Sequence, residues 1–255
     1  MKILRRSFRS RQINVQRQLP PSDWVQPWWI ERFKEQTQNP EIEFPQSNDV
    51  ARSWTLTGNL ESVFRVAVHP RGLISVKPGF WSLDWWLRVD EAWIFPAQHG
   101  SVRQRVVGGA PVVETVIRVA GGDVIHRVYG ARLQVDYTVV EVENQASRPV
   151  ALGFAVRPYD LLGGGRVEQI ELDNQVLSVD GRVAFVCGRT PGRLIVGAGG
   201  IDPAGSLDDV IVGDFSVKCE VGMASAAIIV PLVHGSTFRG AIPLEDSSNH
   251  EVISR

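Results

Sequence analysis

The 255-residue sequence predicts an all-β fold, a large two-sheet antiparallel sandwich behind an irregular leader. From Ala51 onward, short apolar segments alternate with Gly- or Pro-marked turns, the rhythm of a sandwich or barrel. No segment after residue 50 repeats its apolar residues at the spacing of a normal-length helix. The stretch WSLDWWLRVDEAW, Trp81 to Trp93, alternates with period two. Trp81, Leu83, Trp85, Leu87 and Val89 fall on one side of an extended strand, with Ser82, Asp84, Trp86, Arg88 and Asp90 on the other. The number of such strands favours two stacked sheets.

Residues 1–50 differ from the rest. They hold Pro20, Pro21, Pro27, Pro40 and Pro45, many glutamines, and one short helical segment, WVQPWWIERFKEQ, with Pro27 in or just before its first turn. Trp28, Trp29 and Phe33 need a surface to pack on, so the leader is expected to wrap the domain. Residues 51–245 form the sandwich. RSWTLTG, VFRVAVH, GLISVKP and WSLDWWLRV open it, with HPRG as a turn between the second and third. SVRQRVV, PVVETVIRVA and DVIHRVYG follow, the last two joined at Gly121-Gly122, a hairpin signal. The run RLQVDYTVVEVEN changes its apolar register near Val139-Val140, which predicts a bulge or a switch between sheets. NQASRP turns the chain into VALGFAVRPY. RVEQIEL, QVLSVDG, RVAFVCG, RLIVGAG, DVIVGDF, SVKCEV, AAIIVPLV and FRGAIPL complete the strands, and residues 246–255 read as a tail or linker stub.

A chain of this length buries roughly 70% of its unfolded surface, so no metal or disulfide is needed to hold it. The net charge of −1 argues against a nucleic-acid partner bound through phosphate neutralisation. No apolar run reaches the roughly 18 residues of a membrane span. The opening MKILRRSFRSRQINVQRQ has no stretch of signal-peptide type, and a cytoplasmic location is expected. Its basic arm (Lys2, Arg5, Arg6, Arg9, Arg11, Arg17) reads as a flexible or edge-packed terminus, with a transit-like or interaction arm as the alternative. Cys187 and Cys219 lie on apolar strand faces and suit buried free thiols in a reducing compartment; a disulfide between them stays open.

Three stretches carry a family resemblance: RSWTLTGNLESVFRVAVHPRGLISVKPGFWSLDWWLRVD, VVETVIRVAGGDVIHRVYG and VVEVENQASRPVALGFAVRPYDLLGGGRVEQIEL. They resemble the N-terminal β-supersandwich domain of bacterial glucoamylase-like and debranching-enzyme-like glycoside hydrolases. The likeness spans roughly residues 50 to 245. It implies a galactose-mutarotase-like supersandwich that precedes an (α/α)6 barrel, and a helical-barrel glycosidase domain or subunit as partner. The family's general acid and base sit on that barrel, so no catalytic residue carries over to this chain.

Trp86 is a large aromatic on a face otherwise polar, beside Asp84 and Arg88, with Trp93 and His99 close behind. A flat ring flanked by hydrogen-bonding groups suits a sugar, whose C–H face stacks while its hydroxyls pair, so Trp86, Arg88, Asp84 and Trp93 are the candidate carbohydrate contacts, an α-glucan or other glycan the ligand. The alternative is that this face packs on the leader or on a partner domain. Arg157, Tyr159 and Asp160 mark a strand end opening into the Gly163–Gly165 loop, a candidate domain interface, in which Arg157 and Asp160 can also simply pair. Glu114, Asp136, Glu141, Glu143, Glu168 and Glu171 are carboxylates that a hydrolase could use if two of them converged. His126, between Val124 and Val128, reads as a hydrogen-bonded core histidine; His126 or His99 with Glu168 is the pair a mutarotase-like reaction would need. No cofactor or metal motif appears: the histidines lack ligand spacing, and the glycine run lacks a GK[ST] ending.

The sequence therefore predicts a non-catalytic carbohydrate-active-type module. A stand-alone assembly protein that forms homo-oligomers is the second reading, and a sugar-converting enzyme the third.

Overall fold

The computed structural model describes residues 11–12, 54–59, 62, 65–76, 80–132, 135–160, 163–197, 202–205, 207 and 210–244. The predicted helix at 24–36 and the tail at 246–255 lie outside the described residues.

Two sheets face each other. The larger has ten strands, in the order β1 (Arg11–Gln12), β19 (Phe215–Lys218), β14 (Gln169–Asp173), β15 (Val176–Val179), β16 (Arg182–Cys187), β21 (Thr237–Pro243), β10 (Asp136–Asn144), β9 (Gly122–Arg132), β8 (Val112–Val119) and β7 (Val102–Val106). The smaller runs β18 (Val210–Ile211), β17 (Arg193–Gly197), β20 (Ser225–Leu232), β11 (Val150–Arg157), β5 (Ser82–Val89), β4 (Ile74–Val76), β3 (Val66–Val68) and β2 (Thr55–Thr57), with β6 (Ala92–Ile94) folded back on β5. A short ribbon of β12 (Tyr159–Asp160) and β13 (Gly163–Gly164) follows β11. The central pairings are antiparallel, whereas β1 joins β19 in parallel. Among the described residues the only helical element is a 3-10 turn at Pro203–Gly205, so no helix there is long and apolar enough to cross a membrane.

The core between the sheets follows the period-two pattern. Leu83, Trp85, Leu87 and Val89 of β5 point into it, and Trp81 packs at its margin. Phe154 of β11 meets Phe185 and Phe238 of the opposite sheet at centroid distances of 5.2 Å each. Rings from both sheets interlock there, and truncating a ring of this kind costs about 3–5 kcal/mol.

The HPRG turn forms as read: Gly72 N–H donates to the His69 carbonyl at 2.7 Å and its φ is +92°. A Cβ at Gly72 would lie 2.3 Å from Trp85 Nε1, which donates to the Arg71 carbonyl at 2.9 Å. The turn thus fixes the Trp85 indole. The expected irregularity at Val139-Val140 is absent: β10 pairs with β9 and β21 in unbroken register. Val139 simply faces outward into an apolar row on the outer surface. The register shift lies instead between β15 and β16, at Leu177/Ser178. Cys187 and Cys219 are free and buried. β16 and β19 stand three strand spacings apart, about 14 Å, too far for a bridge. Burial pushes the Cys187 thiol up to about 12.

Candidate functional site

β5 is buried on both faces. Its second face, polar in the sequence pattern apart from Trp86, is the outer face of the smaller sheet, and the chain covers it. Across that face Trp86 stands opposite Gly153, with Ile229 next in the row, and Asp84 opposite Ala155, followed by Ala227 and Ile195. Small residues on β11 leave room for the indole: a Cβ at Gly153 would touch both Trp86 and Trp93 at 3.4–3.5 Å. Trp93 and Phe95 close over Trp86 edge-on, at 6.2 and 5.3 Å, and Ala204 and Leu207 join the same cluster. Trp86 is 0% exposed, so it offers no platform to a sugar in this structure. The cover is the chain's own.

Beneath it lies a buried ionic centre. Arg157 donates from one terminal nitrogen to Asp84 Oδ2 at 2.6 Å, and from Nε and its other terminal nitrogen to the two carboxylate oxygens of Asp202, at 2.7 and 3.0 Å. Its guanidinium carbon lies 5.1 Å from the centre of the Trp86 ring, an added cation–π contact. Trp86 Nε1 donates to Asp84 Oδ2 at 3.3 Å, and the Trp85 N–H to Asp84 Oδ1 at 3.0 Å. All three charged side chains are 2% exposed or less. Burial raises the Asp84 carboxyl above its usual range, against the pull of Arg157. A bidentate Arg–carboxylate pair of this kind fixes geometry. Here it ties the segment at Asp202 to the sheet.

The structure thus brings Trp86, Asp84, Trp93 and Arg157 together, and adds Asp202 and Phe95, which sequence reasoning missed. Arg88 stands apart, paired with the exposed Glu91 at 2.5 Å. Three donors of Arg157, whose pairing with Asp160 was the alternative reading, go to Asp84 and Asp202. Asp160 and Tyr159 are buried in the β12–β13 ribbon rather than exposed at an interface.

Carboxylates converge elsewhere, on the outer face of the larger sheet. Arg105, Glu114, Arg127, Glu141 and Arg239 stand directly opposite one another on β7, β8, β9, β10 and β21. This is a ladder of alternating charge. Arg127 Nε donates to Glu114 at 2.8 Å, and a terminal nitrogen donates to Glu141 at 3.0 Å and Glu143 at 2.8 Å. Arg105 closes one end on Glu114 at 2.6 Å, and Arg239 the other on Glu141 at 2.8 Å. Burial works against the Glu114 charge, yet Arg127 and Arg105 hold its carboxyl below the usual value. Gln145 and Arg127 do the same for Glu143. The sequence signal was present, an Arg or Glu at matching outward positions of successive strands, but only the register reveals it.

His126 is in the core, as expected, but not hydrogen-bonded. It is 0% exposed, neither ring nitrogen has a partner, and it stacks on Trp85 at 4.7 Å with planes 13° apart. Desolvation lowers its pKa from 6.5 to about 3. Glu168 pairs with Arg166 just ahead of β14, five strand spacings from β9, so about 24 Å separates the strands of the proposed His126–Glu168 pair. His99 Nδ1 lies 2.7 Å from Ser101 Oγ in a local turn beside β7, farther still along the sheet from Glu168. Among the described residues no group of three or more His, Cys, Asp or Glu could hold a metal ion. Compared with models of protein families and with curated proteins, the chain matches none.

Proposed function

We propose that this chain is a non-catalytic β-sandwich module of carbohydrate-active type, which works against a glycoside-processing helical domain, on the same chain or another. The observation that carries the non-catalytic half is the state of the acid–base candidates. Glu114, Glu141 and Glu143 are shared out on Arg127 in a cross-strand ladder. Glycoside hydrolysis needs two carboxylates facing one gap about 5–9.5 Å wide, one of them able to hold a proton near neutral pH. Arg127 and Arg105 at Glu114, and Gln145 with Arg127 at Glu143, favour the ionised carboxylates and oppose that second requirement. The glycan half rests on the resemblance across residues 50–245. Contact through Trp86 is not part of the proposal, because the ring is sealed.

The test is to incubate the purified chain with α-glucans and simple sugars, following reducing ends and anomer exchange. Neither should exceed the uncatalysed rate. Turnover that Glu141→Gln removes while Tm is unchanged would overturn the reading. Native mass spectrometry of the protein from its own cells addresses the partner: a glycosidase barrel, fused or bound, is the expected finding. A bare homo-oligomer would replace this proposal with the assembly reading.

A further inference from the structure

β17 and β18 are adjacent antiparallel strands at the edge of the smaller sheet, with Leu194 opposite Ile211 and Ile195 opposite Val210. Neighbours of this kind usually join through about two to five residues. Here residues 198–209 join them, a connection of twelve. Its described residues, 202–205 and 207, return over the outer face of the sheet. The 3-10 turn at Pro203–Gly205 lies against β17 and β20, and Asp202 reaches Arg157 on β11, beyond both. Connections longer than the topology requires commonly carry function.

The three charged groups of the buried centre are not equivalent. Asp84 belongs to β5, where the Trp85 N–H and Trp86 Nε1 hold it, and Arg157 belongs to β11. Asp202 belongs to the connection, and its Oδ1 also accepts from the Ala204 N–H at 2.9 Å. The centre therefore has one carboxyl group more than its guanidinium requires. Asp84 alone matches the Arg157 charge, so withdrawal of Asp202 strands no buried cation. What it frees is a fork of two donors, Nε and a terminal nitrogen, now filled by both oxygens of one carboxylate. That fork would take the same group from outside with no change in net charge. Ala204 and Leu207, which help to cover Trp86, leave with Asp202. Trp86, Trp93 and Phe95 remain as walls, because β5, β6 and the residue after β6 carry them.

We propose that the segment around Asp202 is a displaceable flap, and that beneath it Arg157, walled by Trp86, Trp93 and Phe95, binds a carboxylate borne on a ring. In the closed form Asp202 stands in for that ligand's carboxylate. A sugar acid and an aromatic acid share this chemistry: each offers a planar anionic fork and a ring to lie against the indoles. The site is independent of the glycan reading above, which rests on the family resemblance and not on Trp86.

Two measurements on the full chain test this. In the first, isothermal titration calorimetry follows sodium glucuronate, sodium benzoate and glucose into the parent and into Asp202→Ala. Asp202 competes from within the chain, so the variant should bind one of the acids at least tenfold more tightly than the parent does. Glucose should bind to neither protein, and the acid that binds more tightly tells a sugar acid from an aromatic one. A folded variant that takes up neither acid would overturn the proposal. The second measurement places a cysteine at Ala204, which is 5% exposed, in a chain whose own two thiols are buried. A thiol reagent should label Ala204→Cys at a rate that the binding acid raises at least several-fold and that glucose leaves unchanged. A labelling rate indifferent to both acids refutes the flap, and this readout stands even where Asp202→Ala does not fold.

Discussion

His126 makes the stability of this sandwich depend on pH from about 6.5 downward. The ring is wholly buried with both nitrogens unpartnered. Thr115 and Val142 flank it on the neighbouring strands and Trp85 stacks on it, and none of the three brings a charge. Desolvation holds its folded pKa at about 3, against 6.5 when exposed. The sign follows directly. Unfolded chains take up the proton as pH falls below 6.5 and folded ones do not, so the neutral ring favours the fold above 6.5, and that advantage is lost progressively as pH drops toward 3. At pH 5 the loss is about 2 kcal/mol, from 1.4 kcal/mol per unit over the gap. His126→Leu keeps nearly the same volume and removes two unsatisfied polar atoms. We expect the variant to be at least as stable as the parent at pH 7.5, in line with apolar replacement of unpaired buried groups. Its advantage should widen by about 2 kcal/mol at pH 5, measured by urea denaturation of both proteins at both values. A gap that stays constant between pH 7.5 and pH 5 would refute the reasoning, because it would mean that the folded ring binds its proton as readily as the unfolded one.

Other outcomes follow from the same geometry. Arg157→Met leaves Asp84 and Asp202 facing each other without a cation, and should cost about 3–5 kcal/mol at pH 7. Part of that loss should return as pH is lowered, because burial raises the Asp84 carboxyl, and thermal unfolding at pH 7 and pH 5 checks it. Arg127→Ala strips the only described cation that bridges Glu114, Glu141 and Glu143 and should cost about 2 kcal/mol, whereas Arg239→Ala at the exposed end of the ladder should cost under about 1 kcal/mol. Denaturant midpoints of the two variants read the difference. Gly72→Ala combines a positive φ with a clash against the Trp85 indole and should destabilise by about 2–3 kcal/mol, visible as a change in tryptophan emission and a lower Tm. Cys187 and Cys219 should react with a thiol reagent only on unfolding; prompt labelling of either in the native state would contradict their burial.

Local alternation was enough to place Leu83, Trp85, Leu87 and Val89 in the core, because a period of two is a property of the strand itself. The fate of Trp86 was not legible in the same way. Phe95 covers it from close by in the chain, but Ala204 and Leu207, which complete the cover, and Asp202, which pairs with Arg157, come from a distant loop that no window around residue 86 contains. The Val139-Val140 misreading has a similar cause. A strand with apolar residues on both faces imitates a register change, and only the row Tyr129–Val139–Ala241 shows that the outer face is apolar there as well. His126 was placed correctly by its valine neighbours, but hydrogen-bond satisfaction depends on what lies across the sandwich, and there it meets the face of Trp85.

The ionic centre also sets an order of events during synthesis. Asp84 and Trp86 leave the ribosome long before Arg157, and about 120 residues before Asp202; at 5–20 residues per second that interval is roughly 6–24 s. Until β11 is made, an indole and a carboxylate destined for the interior stand in water on a strand that has only its earlier neighbour β4 and the folded-back β6 beside it. The aromatic-rich first third of this chain therefore spends its earliest seconds as an unfinished surface. That interval is when a nascent-chain chaperone has most to protect, and when a stalled or truncated translation product would be most prone to aggregate.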